Sequence, residues 1–482
     1  MIILGTNSVK AAGGFEVANS LRFNDGSSDT LTRTPGSASN RKTFTISFWV
    51  KRSSVDSSHK NVFSSGAYSS TQMTQVFFEA TDELIFSDFT SSPSQNFNLT
   101  TNRKFRDPSA WYHIFIAVDT TQGTASNRIK IYVNGVRETS FSTEAYPSVN
   151  FDCAINVNQI HTIGNRNGAS LFFDGYLSEF VFVDGTAQAH TDVGEFDEDS
   201  GIWKPIKVSG LTFGTNGFYL EYKQSGTGTN ASGMGADTSG NTHHFAVNNL
   251  TAVDQSTDTC TNNFATMNPL DNFFASATFT EGNTTTAITS SSIETYNLST
   301  IGVSSGKWYA ECKVETTSKN THIGIVSEAS KGTGDYVGID ASGYGYAGGT
   351  VGVGNKWNNG SQTSYANNYT TNDIIGVAMD LDNNKIYFSK NGTFQNSGDP
   401  TSGATGTGAA FTITASSSTP DRVYYFAGGK RSNDTVKLNW NFGSPSFAIS
   451  SGNQDGNGFG NMEFAIPSGY FCLNTKNLAE FG

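Results

Sequence analysis

The amino-acid sequence predicts an all-β protein made of two tandem antiparallel β-sandwiches of the concanavalin-like jelly-roll type, with few and short helices. Two Asn-Gly turns carry much of this prediction: Asn134-Gly135 follows Ile129-Lys-Ile-Tyr-Val, and Asn391-Gly392 follows Lys385-Ile-Tyr-Phe-Ser-Lys. Asn and Gly tolerate the positive φ of a two-residue hairpin turn, so each turn predicts a strand pair. No window longer than about ten residues keeps the apolar spacing of an amphipathic helix.

Apolar and polar residues alternate along several predicted strands. The alternation runs through residues 44–50 and 114–118 in the first half, and through residues 308–314, 377–381 and 436–442 in the second. A period of two is typical of a strand with one buried face. The strands therefore fall into two groups, and each group is long enough to bury its own core.

Changes in composition divide the chain into an N-terminal arm, a sandwich, a connector and a second sandwich. The predicted bounds are 1–16, 17–222, 223–264 and 265–482. The connector is rich in Gly, Ser, Thr and Asn, so we expect it to be the stretch most accessible to proteases. The arm carries Ile2, Ile3 and Leu4. We expect it to become ordered only on a neighbouring subunit or another protein.

Composition narrows the function classes. Only 15% of the residues are charged while 12% are aromatic, which argues against disorder. The formal net charge of −12 opposes binding to phosphate backbones, so nucleic acid is not an expected partner. No apolar run approaches the roughly 18 residues of a membrane span, and Met1-Ile-Ile-Leu-Gly is too short for the apolar region of a signal peptide. We therefore expect neither membrane insertion nor secretion by a signal peptide.

The four cysteines, Cys153, Cys260, Cys312 and Cys472, are widely separated and form no CxxC pair. This spacing predicts neither a disulfide framework nor a zinc site. Cys312 lies on the apolar face of a predicted strand, so we expect a buried, unreactive thiol there.

Four segments of the first half resemble the laminin-G/pentraxin-like, concanavalin-type jelly roll in order and spacing. They are Phe44-Thr-Ile-Ser-Phe-Trp-Val-Lys51, Trp111-Tyr-His-Ile-Phe-Ile-Ala-Val-Asp119, Ile129-Lys-Ile-Tyr-Val-Asn-Gly135 and Phe173-Asp-Gly-Tyr-Leu-Ser-Glu-Phe180. Four segments of the second half resemble a SPRY domain. They are Ser305-Gly-Lys-Trp-Tyr-Ala-Glu311, Asp373-Ile-Ile-Gly-Val-Ala-Met-Asp-Leu-Asp382, Ile386-Tyr-Phe-Ser-Lys-Asn-Gly392 and Leu438-Asn-Trp-Asn-Phe-Gly-Ser-Pro-Ser-Phe447.

This order of modules resembles that of structural proteins of tailed bacteriophages, particularly marine ones. The resemblance implies a non-enzymatic virion component, tail-associated and assembled in the bacterial host cytoplasm. It implies a tail-fibre or receptor-binding role in which the protein adheres to host-surface glycan. The expected partners are other virion proteins and further copies of the chain, with a trimer favoured by analogy with fibres. The alternative is a head-decoration or fibre-base protein that serves assembly alone.

Aromatic, amide and hydroxyl groups crowd two glycine-rich stretches of the second half, a mixture that suits carbohydrate. The candidate binding residues are Tyr344, Tyr346, Trp357, Asn358, Asn359, Tyr365 and Tyr369. Ring faces stack on sugars while amides and hydroxyls satisfy sugar hydroxyls. The alternative is that these aromatics belong to the core or to a subunit interface.

No cofactor is expected, although a calcium ion could lie in a loop at the rim of such a sandwich. Asp119, Asn165 and Asp174 are the candidate oxygen ligands, and the alternative is that they bond to their own turns. We therefore name no metal site.

An enzyme related to β-glucanases is a second alternative. Glu195, Asp197 and Asp199 alternate as catalytic carboxylates on a strand would. Their flanks are rich in turn residues, which instead indicates an acidic loop facing solvent. The chain carries no HExxH motif, and no catalytic residue is predicted.

Overall fold

The computed structural model describes residues 14–482 except 69–70, 92–93, 168–170, 273, 275, 318, 329–330, 333–334, 352, 419–422 and 433. Most of the predicted arm, residues 1–13, lies outside the described residues. The chain divides into two compact units, the first ending at Asn262 and the second beginning at Asn263.

The first unit contains eighteen strands within its described residues. They are β1 (Ser20–Phe23), β2 (Thr30–Arg33), β3 (Thr43–Arg52), β4 (Lys60–Ser65), β5 (Met73–Phe78), β6 (Glu83–Ser91), β7 (Ser94–Lys104), β8 (Trp111–Asp119), β9 (Ile129–Val133), β10 (Val136–Arg137), β11 (Phe141–Ala145), β12 (His161–Ile163), β13 (Gly175–Asp184), β14 (Gly194–Phe196), β15 (Trp203–Pro205), β16 (Phe218–Leu220), β17 (Ala246–Asn248) and β18 (Gln255–Ser256). One short α-helix, α1, spans Ala125–Arg128.

Two eight-stranded sheets form the first sandwich. One has the order β10-β9-β8-β3-β13-β1-β18 with β16 paired to β13, and the other the order β11-β7-β6-β5-β4-β12-β2-β17. The buried core takes Phe48 and Ile116 from the first sheet and Phe86 and Leu99 from the second. The hairpin β14-β15 forms a separate two-stranded sheet. The outer face of the first sheet carries further buried clusters, which position the candidate site.

The second unit contains fifteen strands within its described residues. They are β19 (Thr278–Thr280), β20 (Thr285–Ser291), β21 (Thr295–Leu298), β22 (Lys307–Thr316), β23 (Thr321–Ser327), β24 (Gly343–Gly348), β25 (Asn355–Asn358), β26 (Ser361–Ser364), β27 (Ile374–Asp380), β28 (Lys385–Lys390), β29 (Thr393–Phe394), β30 (Phe411–Thr412), β31 (Tyr424–Lys430), β32 (Asp434–Asn441) and β33 (Phe471–Cys472). A second α-helix, α2, spans Thr475–Phe481.

The second sandwich also has two sheets. One follows β19-β20-β32-β22-β27-β28-β29, with β30 paired to β28 and β33 to β22, and the other follows β21-β31-β23-β24-β25-β26. Trp308 and Leu438 from the first sheet and Ile323 and Phe426 from the second share one core. The predicted fold class, two tandem all-β sandwiches, is confirmed.

Both Asn-Gly turns adopt the predicted conformation. Asn134 and Gly135 have φ of 47° and 74°, and Asn391 and Gly392 have φ of 48° and 79°. Each Asn side chain also accepts a hydrogen bond from the strand beside its hairpin, at 2.7 Å from the His113 N–H and at 2.8 Å from the Ile374 N–H. The turn residue therefore fixes the neighbouring strand as well as the hairpin.

The predicted connector, residues 223–264, is not a free linker in the structure. Within it, β17 pairs with β2 and β18 with β1, and Met234, Phe245 and Leu250 are buried in the first core. Its Gly- and Ser-rich composition conceals these widely spaced apolar anchors, so the stretch completes the first sandwich. Its paired and buried parts are also poor candidates for the first protease cleavage.

The four cysteines are free and buried, and Cys312 lies in the second core as predicted. No helix among the described residues is both long and apolar enough to span a membrane.

Candidate functional site

The tyrosines predicted to bind carbohydrate lie mainly inside the second sandwich. Tyr344, Tyr346 and Tyr369 are buried core residues. The Tyr344 hydroxyl accepts the Thr414 N–H at 2.8 Å, and the Tyr369 hydroxyl lies 2.7 Å from the Thr321 carbonyl oxygen. The glycines that alternate with Tyr344 and Tyr346 on β24 occupy the other face of the strand. The prediction of an exposed tyrosine platform is therefore corrected to core packing.

Trp357 is also enclosed, with only 4% of its surface exposed. The Arg431 guanidinium lies 4.4 Å from the ring centroid. The Tyr336 and His322 rings lie 5.7 and 5.5 Å away. These neighbours occupy the positions that a sugar ring would need, so Trp357 is not an open stacking surface.

The other candidates near Trp357 have structural contacts or belong to a turn. The Asn358 side-chain amide donates to the carbonyl oxygens of Ala341 and Gly343, each at 2.9 Å. Tyr365 is half-buried and packs edge-on against Tyr346 at 5.5 Å. Asn359 is exposed and has a φ of 51° in the turn between β25 and β26. The structure does not gather these residues into an accessible aromatic groove.

The first unit contains a narrow cleft, without enclosed space for a water molecule, on the outer face of its β8-β3-β13 sheet. Strand residues form its floor, and the segment 193–208 forms its wall. The lining residues are Ser47, Trp49, His113, Glu179, Val181, Val193, Pro205, Ile206 and Val208.

His113 is fixed at this cleft in one neutral form. Trp203 Nε1 lies 3.0 Å from His113 Nδ1, and because an indole N–H can only donate, Nδ1 must accept. Nε2 therefore carries the hydrogen and donates to Ser47 Oγ at 2.8 Å. Burial lowers the pKa of His113 to about 3. This direction of hydrogen bonding is the reverse of a Ser-His nucleophile, in which neutral Nε2 accepts the hydroxyl proton.

Glu179 lies where β13 changes its pairing partner. Residues 175–177 pair with β1, residues 180–182 pair with β16, and the pairing with β3 shifts register between Ser178 and Val181. Glu179 takes a φ of 50° in this bulge, and its carboxylate accepts the Tyr219 hydroxyl. Burial raises the pKa of Glu179 to about 7.

The cleft does not provide the two carboxylates of a glycosidase. Glu179 is the one carboxyl among its lining residues, whereas glycoside hydrolysis generally uses a pair about 5 to 10 Å apart. The alternating carboxylates noted in the sequence lie elsewhere. Glu195 and Asp197 share the Lys204 ammonium, at 3.3 and 3.0 Å.

Asp197 closes a turn of the exposed hairpin. Hydrogen bonds from the Ser200 backbone N–H and from Lys204 lower the pKa of Asp197 to about 2. Asp199 N–H also lies 3.2 Å from Asp197 Oδ1. The three alternating carboxylates therefore belong to the β14-β15 hairpin and its turn.

Beside the cleft, four ring side chains form what we call the aromatic ridge, which consists of Tyr132, His190, Trp203 and Phe196. Tyr132 and His190 stack at 4.2 Å between ring centroids, and His190 and Trp203 at 5.5 Å. Phe196 meets Trp203 edge-on at 5.0 Å and is 47% exposed. The ridge thus runs from a buried indole to an accessible phenyl ring.

Two glycines allow Trp203 to lie flat against the sheet. A Cβ atom at Gly135 would lie 2.2 Å from the indole, and one at Gly194 would lie 2.4 Å from it. Gly135 therefore has two roles: it allows the positive φ of the hairpin turn, and it leaves room for the Trp203 indole. Sequence analysis identified the turn but not the ridge, because the four rings come from separate parts of the chain.

Of the candidate calcium ligands, Asp119 takes a turn role, whereas the carbonyl oxygens of Asn165 and Asp174 accept hydrogen bonds from Ser64 and Ser53. The Asp119 carboxylate accepts the Thr121 N–H at 3.1 Å and the Thr121 hydroxyl at 2.6 Å. No group of three or more His, Cys, Asp or Glu side chains in the described part of the chain is arranged to hold a metal ion.

Two parts of the chain match known families. Residues 25–191 match the model of the concanavalin A-like lectin/glucanases superfamily, and residues 307–426 match the SPRY domain. These matches agree with the two sandwiches and with the resemblances seen in the sequence. No curated protein sequence matches the chain.

Three solved structures illustrate the structural likeness. The SPRY domain of human HERC1 is 20% identical, with 32% of this chain and 86% of that chain covered and a TM-score of 0.25. A heptameric SAP-like pentraxin from Limulus polyphemus is 16% identical, with coverages of 37% and 82% and a TM-score of 0.28. A Bacteroides ovatus protein assigned to carbohydrate binding is 14% identical, with coverages of 48% and 59% and a TM-score of 0.30. At these TM-scores the likenesses carry no argument about function.

Proposed function

We propose that the chain is a non-catalytic carbohydrate-binding protein and that the aromatic ridge of the first unit is its glycan contact surface. The observation that carries the proposal is the exposed Phe196 ring, which lies edge-on against the buried Trp203 indole. A fixed aromatic ring loses little conformational freedom when a sugar stacks on it. The match of residues 25–191 to a lectin and glucanase superfamily supports the first unit over the second as the binding unit, and it includes Tyr132 and His190 of the ridge.

Charge around the ridge selects the class of glycan. The exposed hairpin beside Phe196 carries Glu195, Glu198 and Asp199, and its cation Lys204 is already paired with Glu195 and Asp197. A locally negative surface repels sialylated, sulfated or uronic-acid glycans. The proposed ligand is therefore a neutral or amino-bearing glycan.

The biological setting is the second part of the proposal. The order of the two modules resembles that of tailed-phage structural proteins, so we place the protein in the virion, as a tail-fibre or receptor-binding component that adheres to host-surface glycan. The burial of Trp357 and its neighbouring tyrosines favours the alternative for the second unit, an assembly role without a ligand. Locating the chain in a particle map would separate tail attachment from head decoration.

The binding experiment uses the purified full chain on immobilised neutral, amino-bearing and acidic glycans. Phe196→Ala should weaken binding several-fold, because ring stacking is worth roughly 0.5 to 1.5 kcal/mol beyond buried area. Phe274→Ala is the matched control, since Phe274 is 44% exposed but belongs to the second unit. Binding that is confined to acidic glycans, or that survives Phe196→Ala unchanged, would contradict the proposed surface.

Release of reducing ends from the bound glycans tests the non-catalytic part of the proposal. We expect none above background. Turnover that is abolished by Glu179→Gln would instead assign hydrolysis to the cleft.

A further inference from the structure

The sheet edges within the described residues differ in how they are protected from pairing with another chain. Strands β10, β17, β18, β19 and β29 end their sheets with only two or three residues. Strand β11 is longer, but it carries Glu144 and a register shift between Phe141 and Thr143. Strand β21 is buried. Short length, charge and bulges are the usual devices that prevent edge pairing.

Strand β26 is one or two residues longer than the short edges and carries neither a charge nor a bulge. Its four residues, Ser361–Ser364, are all exposed, uncharged and free of proline, and they pair in regular register with β25. It ends the six-stranded sheet of the second unit. An exposed edge in regular register, without charge or bulge, is a ready template for another strand.

The turn before β26 determines which backbone groups face outward. Asn359 and Gly360 form a two-residue hairpin turn, with Asn358 opposite Ser361. The pair next to such a turn is hydrogen-bonded, and inward and outward residues then alternate. The N–H and C=O groups of Gln362 and Ser364 therefore point away from β25. The Tyr365 N–H, which donates back to the Gly354 carbonyl oxygen at 3.3 Å, continues the alternation.

The surroundings of β26 suit a second copy of the same chain. Residues 341–372 contain a single charged residue, Lys356, whose ammonium donates to the Ala410 carbonyl oxygen. The same stretch exposes Val351 and Val353, at 59% and 54%. Val353 directly precedes Gly354, so it lies near the end of β26.

Outside this stretch, Asp340 contacts the β25-β26 turn through its carbonyl oxygen, which accepts the Asn359 N–H at 3.1 Å, and Asp373 is paired with Lys390 at 3.1 Å. The strand itself therefore brings no charged side chain to a second copy of this chain of net charge −12.

We propose that β26 pairs with β26 of a second copy, antiparallel across a two-fold axis at Thr363. Gln362 of each strand then lies opposite Ser364 of the other, and each of these pairs exchanges two backbone hydrogen bonds. The two six-stranded sheets become continuous through this contact. An isologous contact of this type closes as a dimer rather than the trimer favoured by analogy with fibres.

The test compares two variants at one position. Gln362→Pro removes an outward N–H, and proline is tolerated on an edge strand where that group faces solvent. Gln362→Ala removes the same side chain but keeps the N–H, so it is the matched control. Light scattering after size exclusion, over a concentration series of the full chain, gives the mass of each variant. Hydrogen exchange at residues 362 and 364 reports on the edge directly.

The wild type and Gln362→Ala should form a dimer at high concentration, with slowed exchange of the Gln362 and Ser364 amides in the wild type. Gln362→Pro should stay monomeric over the same range, with an unchanged melting temperature showing that the fold is intact. A wild type that stays monomeric, or a dimer or trimer that persists in Gln362→Pro, would overturn the proposal. Protection of this edge in a monomer only after addition of another purified virion protein would also overturn it, in favour of a foreign strand.

Discussion

Each unit places a tryptophan on the outer face of a sheet against a buried histidine, and the two arrangements differ in what covers the ring. In the first unit the Trp203 indole donates to His113, and Phe196 extends the cluster towards solvent. In the second unit the guanidinium of Arg431 covers Trp357. The indole nitrogen of Trp357 has no hydrogen-bond partner among the described residues. Aromatic density alone therefore does not identify a binding surface, because the neighbouring side chain decides whether a ring is accessible.

The largest expected effect comes from truncating the two tryptophans. Trp357→Ala and Trp203→Ala should each lower the free energy of unfolding of their own unit by about 3 to 5 kcal/mol, because each ring is buried and leaves a cavity. Denaturant unfolding followed by hydrogen exchange in each unit measures this loss. Val351→Ala, at an exposed position, is the control and should change stability little. A small loss for Trp357→Ala would reopen it as a surface residue.

Buried glutamates give both units a similar dependence on pH. Burial raises the pKa of Glu179 and of Glu311 from 4.5 to about 7. Between these values each glutamate binds more protons in the folded than in the unfolded state, so its contribution to stability falls as pH rises from about 4.5 through about 7. The fall should be on the order of 3 kcal/mol for each group. The buried His113, His161 and His322, whose pKa values burial lowers, contribute with the opposite sign over the acidic part of this range.

Unfolding free energies measured from pH 4 to 8 test this dependence. Glu179→Gln and Glu311→Gln should each remove the falling contribution from the curve of their own unit, so that the rise with pH caused by the buried histidines becomes steeper. Glu144→Gln, at an exposed position on β11, should leave the slope unchanged. An unchanged slope in Glu311→Gln would mean that the two backbone N–H groups it accepts, from Glu463 and Phe464 at 2.9 and 2.8 Å, keep its carboxylate ionised.

Substituting glycines distinguishes the cost of backbone strain from the cost of a steric clash with Trp203. Gly135→Ala should cost more stability than Gly210→Ala. The two glycines have φ of 74° and 72°, but only the first would place a Cβ against Trp203, whereas the second has open space. In both variants, placing alanine in the left-handed backbone conformation should cost roughly 1 to 2 kcal/mol of unfolding free energy. Equal losses in thermal unfolding would show that the indole moves aside freely.

The smallest effect on stability is expected at the exposed end of the ridge. Phe196→Ala should change the free energy of unfolding by no more than about 0.5 kcal/mol, as is usual at exposed positions. It therefore separates binding from folding, which neither tryptophan variant can do. A loss comparable to that of Trp203→Ala in calorimetry would make Phe196 a core residue and remove it as a ligand contact.

Sequence patterns predicted local structure well and accessibility poorly. Alternation and the Asn-Gly turns placed the main strands, and Cys312 was correctly assigned to a core. The composition of residues 223–264 predicts a linker because the apolar residues of this stretch are far apart, yet Met234 and Phe245 pack in the first core. The polar residues around Tyr344, Tyr346 and Tyr369 likewise indicated exposed loops, although the three rings lie in the second core.

By itself, the sequence determined the fold class, the two hairpin turns and the presence of two sandwiches, because these depend on φ preferences and on a repeat of two residues. Only the tertiary structure showed which aromatic rings are covered by side chains from distant parts of the chain. Arg431 reaches Trp357 from β31's end, and Tyr132, His190, Phe196 and Trp203 converge from separate segments. Burial and stacking depend on such distant contacts, which a local pattern does not contain.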